Sequence, residues 1–175
     1  MKNVFLVQAR YNKATDKTVY DILSGLSNDE REKDRGGYFK SLSQTFRHYI
    51  GSAGFFHGAL QSAVNGNAAA RKALSYEAPK LPDGPLSEAQ WKTLAGYLNT
   101  VNDAFIQFVE ALRPEDFAIS ITFGPPAWPP VPLYFLLMMI HSHAIHHRGQ
   151  ISEMLDEMKV ENNWSGMNPD FLPKA

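Results

Sequence analysis

Four stretches of the chain place apolar residues at steps of three and four positions, which is the spacing of one helix face. The pattern predicts helices over roughly residues 3–26, 38–64, 87–112 and 132–160. The third has the clearest start, because Ser87 is a good N-cap and Gln90 follows three positions later, as a capping box requires. The second has the strongest periodicity, through Phe39, Leu42, Phe46, Ile50, Ala53, Phe56 and Leu60.

The segments between these stretches differ in length and in the structure that they predict. Residues 65–86 are loop-rich, with a short helix expected around 68–76, and "FAISITF" at 117–123 alternates in the manner of a short strand. The following "GPPAWPPVP" cannot form a helix interior, because each proline lacks an N–H and clashes with the preceding turn. We therefore expect an all-α protein, a single four-helix bundle over residues 1–175 with a long irregular connection before the last helix.

The composition of the chain argues against several classes of function. The chain has no cysteine, which excludes disulfides, thiolate nucleophiles and cysteine-ligated zinc. A net charge of −1 argues against nucleic-acid binding. The longest apolar run, "VPLYFLLMMI" at 131–140, is half of the roughly 20 residues that a membrane span needs. The apolar run at 4–7 is also too short for a signal peptide, so we expect a cytoplasmic protein with neither nucleic-acid nor membrane partners.

Histidines supply the candidate chemistry, since "HSHAIHHRGQ" at 141–150 contains four of the six in the chain. On a helix that advances about 100° per residue, His143 and His147 lie about 40° apart on one face, one turn from each other. This is a common way for one helix to offer a metal two imidazoles. His141 points about 160° away from His143 and cannot share the ion, whereas His146 can pair with His143 but fits the stripe less well.

His48 is the candidate third ligand, in the middle of the second predicted helix. Two other interpretations compete: a lone buried histidine is usually a hydrogen-bonded core residue, and a pair four positions apart arises by chance in a histidine-rich helix. Three converging histidines in a chain with few others favour a metal site. We interpret His57, His141 and His146 as histidines that do not bind the ion. They are expected to be solvated, to lie at the rim of the site, or at most to support the ligands from behind.

A resemblance to a known family adds to this interpretation. The run "HAIHHRGQI" at 143–151, with a helical histidine about a hundred residues earlier, resembles the DinB/YfiT-like family. The segment with the Tyr11–Asn12 pair and "YFKSLSQTFRHYI" resembles the first two helices of that family. The similarity covers most of the chain, and only residues 65–113 match in helical character alone.

The resemblance implies a four-helix bundle that holds a divalent metal through His48, His143 and His147, and it suggests homodimers. Zn²⁺ and Ni²⁺ both suit imidazole ligands. Arg148 is expected to pair with a carboxylate and Gln150 to brace the site. The Pro-rich segment 124–132, with Trp128, is expected to form part of the pocket wall.

Two functions remain open at this point. One is a metal-dependent transferase or hydrolase that acts on a small molecule, as three histidines leave a coordination position free; some relatives use low-molecular-weight thiols. The other is a non-catalytic binding or dimerisation module in which a metal ties two helices together. A third interpretation is a plain helical bundle that binds no metal. The sequence identifies neither a catalytic residue nor a substrate.

Overall fold

The computed structural model describes residues 1–77, 82, 84–124, 128–164 and 166–173. Within these ranges the chain forms four long helices and two short ones, so the prediction of an all-α fold is confirmed. The helices are α1 (Lys2–Ser24), α2 (Asn28–Glu32), α3 (Leu42–Ala63), α4 (Ala68–Ala73), α5 (Glu88–Ala111) and α6 (Leu133–Glu157).

The four long helices form a bundle in which α1 packs chiefly on α5 and α3 chiefly on α6. Smaller contacts join α1 to α6 and α3 to α5, which closes the ring of helices in the order α1, α5, α3, α6. None of the described helices combines the length and apolar character needed to cross a membrane. The packing places α3 and α6, which carry the candidate ligands, side by side along most of their lengths.

Helix starts follow local hydrogen bonding. The predicted capping box of α5 is present, with Ser87 Oγ accepting from Gln90 N–H and Gln90 Oε1 accepting from Ser87 N–H. The same motif, Ser27 and Glu30, starts α2 in a charged segment that we expected to be a connection. The sequence contains this capping signal, but the segment lacks the apolar periodicity from which the other helices were predicted.

The helix α3 begins at Leu42 instead of residue 38, because Ser41 caps it. A turn precedes it, closed by a bridge between Gly37 and Lys40, with Lys40 at a φ of 68°. This turn carries Phe39 out of the helix and over the ends of the candidate ligands. A boundary error of four residues in the sequence prediction therefore falls on a segment that shapes the site.

The connection before α6 contains little regular structure, as predicted. A 3-10 turn (Pro114–Ala118) leads to the strand β1 (Ser120–Ile121), which pairs antiparallel with β2 (Val131–Pro132). The strand expected over 117–123 is thus reduced to two residues. Gly124 has a φ of 97°, and a Cβ there would lie 2.5 Å from the Trp128 ring, so only glycine fits.

The core divides into two apolar clusters along the bundle. One cluster contains Phe5, Leu60, Phe108 and Leu136, and the other contains Leu23, Phe46, Trp91 and Ile151. A layer of buried polar side chains accompanies the two clusters: Asn12, Asp16, His57, Asn102, His141 and Arg148. The hydroxyl of Tyr49, a member of the second cluster, donates to Asp16 in this layer. The candidate ligands lie at the level of this polar layer, on the side of α3 and α6.

Candidate metal centre

The three histidines chosen from the sequence lie together in the structure. His143 Nε2 lies 3.3 Å from His48 Nε2 and 3.1 Å from His147 Nε2. One ligand atom from each of the three residues lies within 4.8 Å of the others. His147 is buried, and His48 and His143 are half-buried, so the cluster lies just beneath the surface between α3 and α6.

These distances fit one small divalent ion. A tetrahedral ion with metal–nitrogen bonds of about 2.0–2.1 Å holds its nitrogens about 3.3–3.4 Å apart. The two measured nitrogen separations lie within a few tenths of an ångström of that value. No fourth histidine or carboxylate joins the three in the described part of the chain. A metal held here would therefore keep a coordination position for another molecule.

Gln150 fixes the tautomer of one ligand. Its Oε1 lies 2.7 Å from His147 Nδ1, and an amide oxygen can only accept a hydrogen bond. Nδ1 of His147 therefore carries the proton, and its Nε2 presents a lone pair to the centre of the cluster. Metal-ligating histidines are commonly held in this way by a second hydrogen bond. The bracing role expected of Gln150 thus has a geometric basis.

The electrostatic surroundings keep all three rings neutral. Burial, followed by the neighbouring His147 and His48, lowers the pKa of His143 to about 4. Burial and the proximity of His147 lower the pKa of His48, and burial also lowers that of His147 against an opposing contribution from Gln150. Neutral imidazole is the form that binds a metal, so the protein maintains the ligands in their binding state at neutral pH.

Aromatic rings form the walls of the cluster. Phe39 stacks on His48 with ring centroids 4.0 Å apart and meets His147 edge-on at 5.4 Å. On the other side, Phe56 packs edge-on against His143 at 5.5 Å. Such rings restrict the rotation of the imidazoles and limit the access of water from two directions.

The Pro-rich segment 124–132, which we expected to form part of the pocket wall, is described only in part. Its residues 125–127 lie outside the described residues, and the Trp128 indole packs on Gly124. Phe123, just before this segment, contacts Phe56 with ring centroids 5.6 Å apart and so supports the wall beside His143. An aromatic residue of the connection therefore reaches the site indirectly.

The remaining histidines divide between core and surface. His146 is exposed, as expected. The expectation of a solvated or rim position is wrong for His57 and His141, which are only 3% exposed. His57 Nδ1 lies 2.7 Å from the Tyr76 hydroxyl, and His141 Nδ1 lies 2.8 Å from the Asn12 amide. Both are hydrogen-bonded core residues, because polar partners on other helices meet them inside the bundle.

Arg148 has the carboxylate partner that we expected, and that partner is Asp16 of α1. Arg148 Nη1 donates to Asp16 Oδ1 at 2.9 Å, and Arg148 Nη2 donates to Asn12 Oδ1 at 2.8 Å. Asp16 also accepts from the Tyr49 hydroxyl and the Asn102 amide. Burial raises the pKa of Asp16, while Arg148 and these hydrogen bonds oppose the rise.

This network was not identified from the sequence. Asp16 and Asn102 occupy positions at which their helices face the core, and a polar residue within an apolar stripe was the signal that could have revealed them. The network joins α1, α3, α5 and α6 directly behind the histidine cluster.

Comparison with known proteins agrees with this architecture. The family model of the DinB superfamily matches residues 12–151, so the chain belongs to the DinB superfamily. The match includes all three clustered histidines. No curated protein matches the chain.

Among solved structures, a DinB-like protein from Bacillus subtilis is similar in fold. The two share 16% sequence identity with a TM-score of 0.59, over 89% of this chain and 94% of the other. At this identity the likeness supports the bundle architecture, and it carries no information about the reaction.

Proposed function

We propose that the protein binds one divalent metal, Zn²⁺ or Ni²⁺, through His48, His143 and His147 and acts as a metal-dependent transferase or hydrolase on a small molecule. The observation that carries this proposal is the convergence of three Nε2 atoms at 3.1 and 3.3 Å without a fourth protein ligand among the described residues. Catalytic zinc sites keep a position free in this way, whereas structural sites use four protein ligands.

The chain itself prepares the site for such chemistry. Gln150 orients His147, and Phe39 and Phe56 limit rotation of His48 and His143. The depressed histidine pKa values keep the donors unprotonated. A bound divalent metal supplies Lewis acidity, which lowers the pKa of a water or thiol that occupies the free position.

A thiol is a reasonable co-substrate, given the resemblance to relatives that use low-molecular-weight thiols. The chain has no cysteine, so it supplies no thiolate of its own. We propose that the nucleophile comes from solvent or from a second small molecule. The family resemblance also leads us to propose a homodimer, which light scattering of the purified protein would test.

An activity comparison tests the proposal. Metal-stripped protein reconstituted with Zn²⁺ or Ni²⁺ would be assayed for thiol consumption with electrophilic acceptors and for hydrolysis of activated esters and amides. We expect turnover that a chelator abolishes, that His48→Ala loses, and that His146→Ala retains because His146 is exposed and outside the cluster. Equal turnover by wild type and His48→Ala would contradict the proposal.

The structural-metal alternative is favoured by one observation: the ligands tie α3 to α6, with His48 on one helix and the other two on its neighbour. In that case metal removal would lower the thermal midpoint strongly, while no substrate would turn over. A ligand exchangeable with small thiols or azide, seen in the spectrum of Co²⁺-loaded protein, would instead support the catalytic role.

A further inference from the structure

A small cavity lies inside the bundle, directly behind the candidate metal centre. Its volume is about 40 Å³, and a water molecule needs about 10–15 Å³ by this measure. All of its lining residues are buried except Ala53 and His143. The cavity therefore has room for about three water molecules, and it touches one metal-ligand candidate.

Most of the surface that lines this cavity is apolar, but six of its fourteen lining residues carry a polar side chain. Besides His143 these are Asn12, Asp16, Tyr49, His57 and Asn102. Dry cavities in proteins are lined by apolar groups, whereas polar cavities hold water with two to four hydrogen-bond partners for each molecule. The polar side chains supply the hydrogen-bond partners that water molecules in this cavity would need.

Three of these side chains have unused hydrogen-bonding capacity. His143 Nε2 points to the other ligands, and no described residue hydrogen-bonds to its Nδ1. His57 Nδ1 meets Tyr76, and no described residue meets its Nε2. Asp16 accepts from Arg148 and Tyr49 at Oδ1 and from Asn102 at Oδ2, which leaves one of its roughly four acceptor sites free.

We propose that this cavity holds ordered water molecules that connect His143 Nδ1 to the Asp16 carboxylate and to His57, so that Asp16 and His57 are positioning residues of the metal centre. The inference rests on the proposed metal site and extends it. A ligand histidine normally donates its second N–H to a carboxylate, carbonyl or water. His147 has Gln150 for this purpose, and a cavity water gives His143 the equivalent partner.

In this arrangement the buried polar layer orients a metal ligand in addition to joining the helices. Arg148 and Asn102 hold the Asp16 carboxylate in place, and the water transmits that fixed position to a ligand on α6. The orientation of His143 then depends on α1 and α5 as well as on its own helix.

A pair of variants with opposite volume changes tests the proposal. Val101 and Ile50 both line the cavity. Val101→Ile adds one methylene and displaces water, whereas Ile50→Val removes one and preserves it; neither touches a polar partner. Zn²⁺ affinity would be measured by competition with a chromophoric chelator, and Co²⁺-loaded protein would report coordination geometry by its visible spectrum.

We expect Val101→Ile to weaken Zn²⁺ binding by about tenfold or more, the range seen when outer partners of ligands are lost, with an altered Co²⁺ spectrum that a general loss of stability would not produce. Ile50→Val should bind within about twofold of wild type. A crystal structure of metal-loaded wild-type protein should show a water between His143 Nδ1 and Asp16, and this measurement decides the matter if Val101→Ile fails to fold.

The outcomes separate the two proposals. If wild-type protein binds Zn²⁺ but the cavity is dry, or Val101→Ile binds as tightly as wild type, the positioning role is overturned and the metal site stands. If wild-type protein binds no metal at all, both are overturned.

Discussion

The two sides of α6 carry polar clusters that differ in how fully their groups are partnered. Toward α1 and α5, Arg148 meets Asp16 and Asn12, and His141 meets Asn12. Toward α3, the Nε2 atoms of His48, His143 and His147 meet only one another. Residues 141–150 thus contribute both to a buried hydrogen-bonded network, in which His141 Nε2 has no partner among the described residues, and to a group of three facing imidazoles.

The difference separates a structural role from a binding role. A buried charge is tolerated when it is paired and hydrogen-bonded, and the Arg148 cluster meets that condition. The Nε2 atoms of the three imidazoles face only one another among the described residues, and the Gln150 contact makes Nε2 of His147 an acceptor that a cation would satisfy. The first cluster pairs its charged groups inside the bundle, and the second has the geometry that a bound cation would require.

The largest expected effect comes from breaking the buried network. Arg148→Met leaves the Asp16 carboxylate buried without its main partner, which should cost about 3–5 kcal/mol of unfolding free energy. Urea denaturation of metal-free protein measures the change. The double variant Asp16→Leu/Arg148→Met should recover part of the loss, because no charge remains buried. A cost below about 1 kcal/mol for the single variant would show that the network does not stabilise the bundle.

A smaller effect is expected at the histidine cluster. Gln150→Ala removes the acceptor that fixes the His147 tautomer, so metal affinity should fall about 10- to 100-fold while the fold persists. Gln150→Glu is the matched control, because it keeps an acceptor next to Nδ1 and should retain tight binding. Chelator competition measures the metal affinity of both variants. If Gln150→Ala bound metal as tightly as wild type, Gln150 would have no role in orienting His147.

The smallest expected effect concerns how stability depends on pH. Burial lowers the pKa of His57 to about 3 from about 6.5 in the unfolded chain. Between these values the unfolded state binds the additional proton, so stability falls as the pH decreases, by up to about 1.4 kcal/mol per pH unit for this residue. His57→Phe should reduce the slope of unfolding free energy against pH between pH 6 and pH 4.5 by the contribution of this one residue, and the buried His141, whose pKa burial lowers to about 4, should maintain a remaining slope.

That comparison would use metal-free protein, so that the histidine cluster contributes equally in every variant. Identical profiles for wild type and His57→Phe would mean that His57 is protonated as easily in the folded state as in the unfolded one.

The parts of this structure that were predictable are those set by local pattern. Apolar periodicity placed the four long helices, and a 100° step per residue selected His143 and His147 from four neighbouring histidines. The Ser87 capping box fixed the start of α5. In each case residues close in the chain determine the feature.

The parts that were missed depend on partners distant in the chain. His141 is buried because Asn12, 129 positions earlier, meets its ring inside the bundle. Asp16 is identifiable as the partner of Arg148 only once α1 and α6 are placed together. Phe39 covers the site because a turn with a positive φ at Lys40 ends before α3 begins, and periodicity cannot detect that turn.

The central claim is that His48, His143 and His147 hold one divalent cation. It is tested most directly by the metal content of protein purified without a histidine tag, in wild type and in His147→Ala, with His146→Ala as control. We predict about one Zn²⁺ or Ni²⁺ per chain in wild type and His146→Ala, and almost none in His147→Ala. Negligible metal in the wild type after incubation with these ions, or equal metal in His147→Ala, would contradict the account.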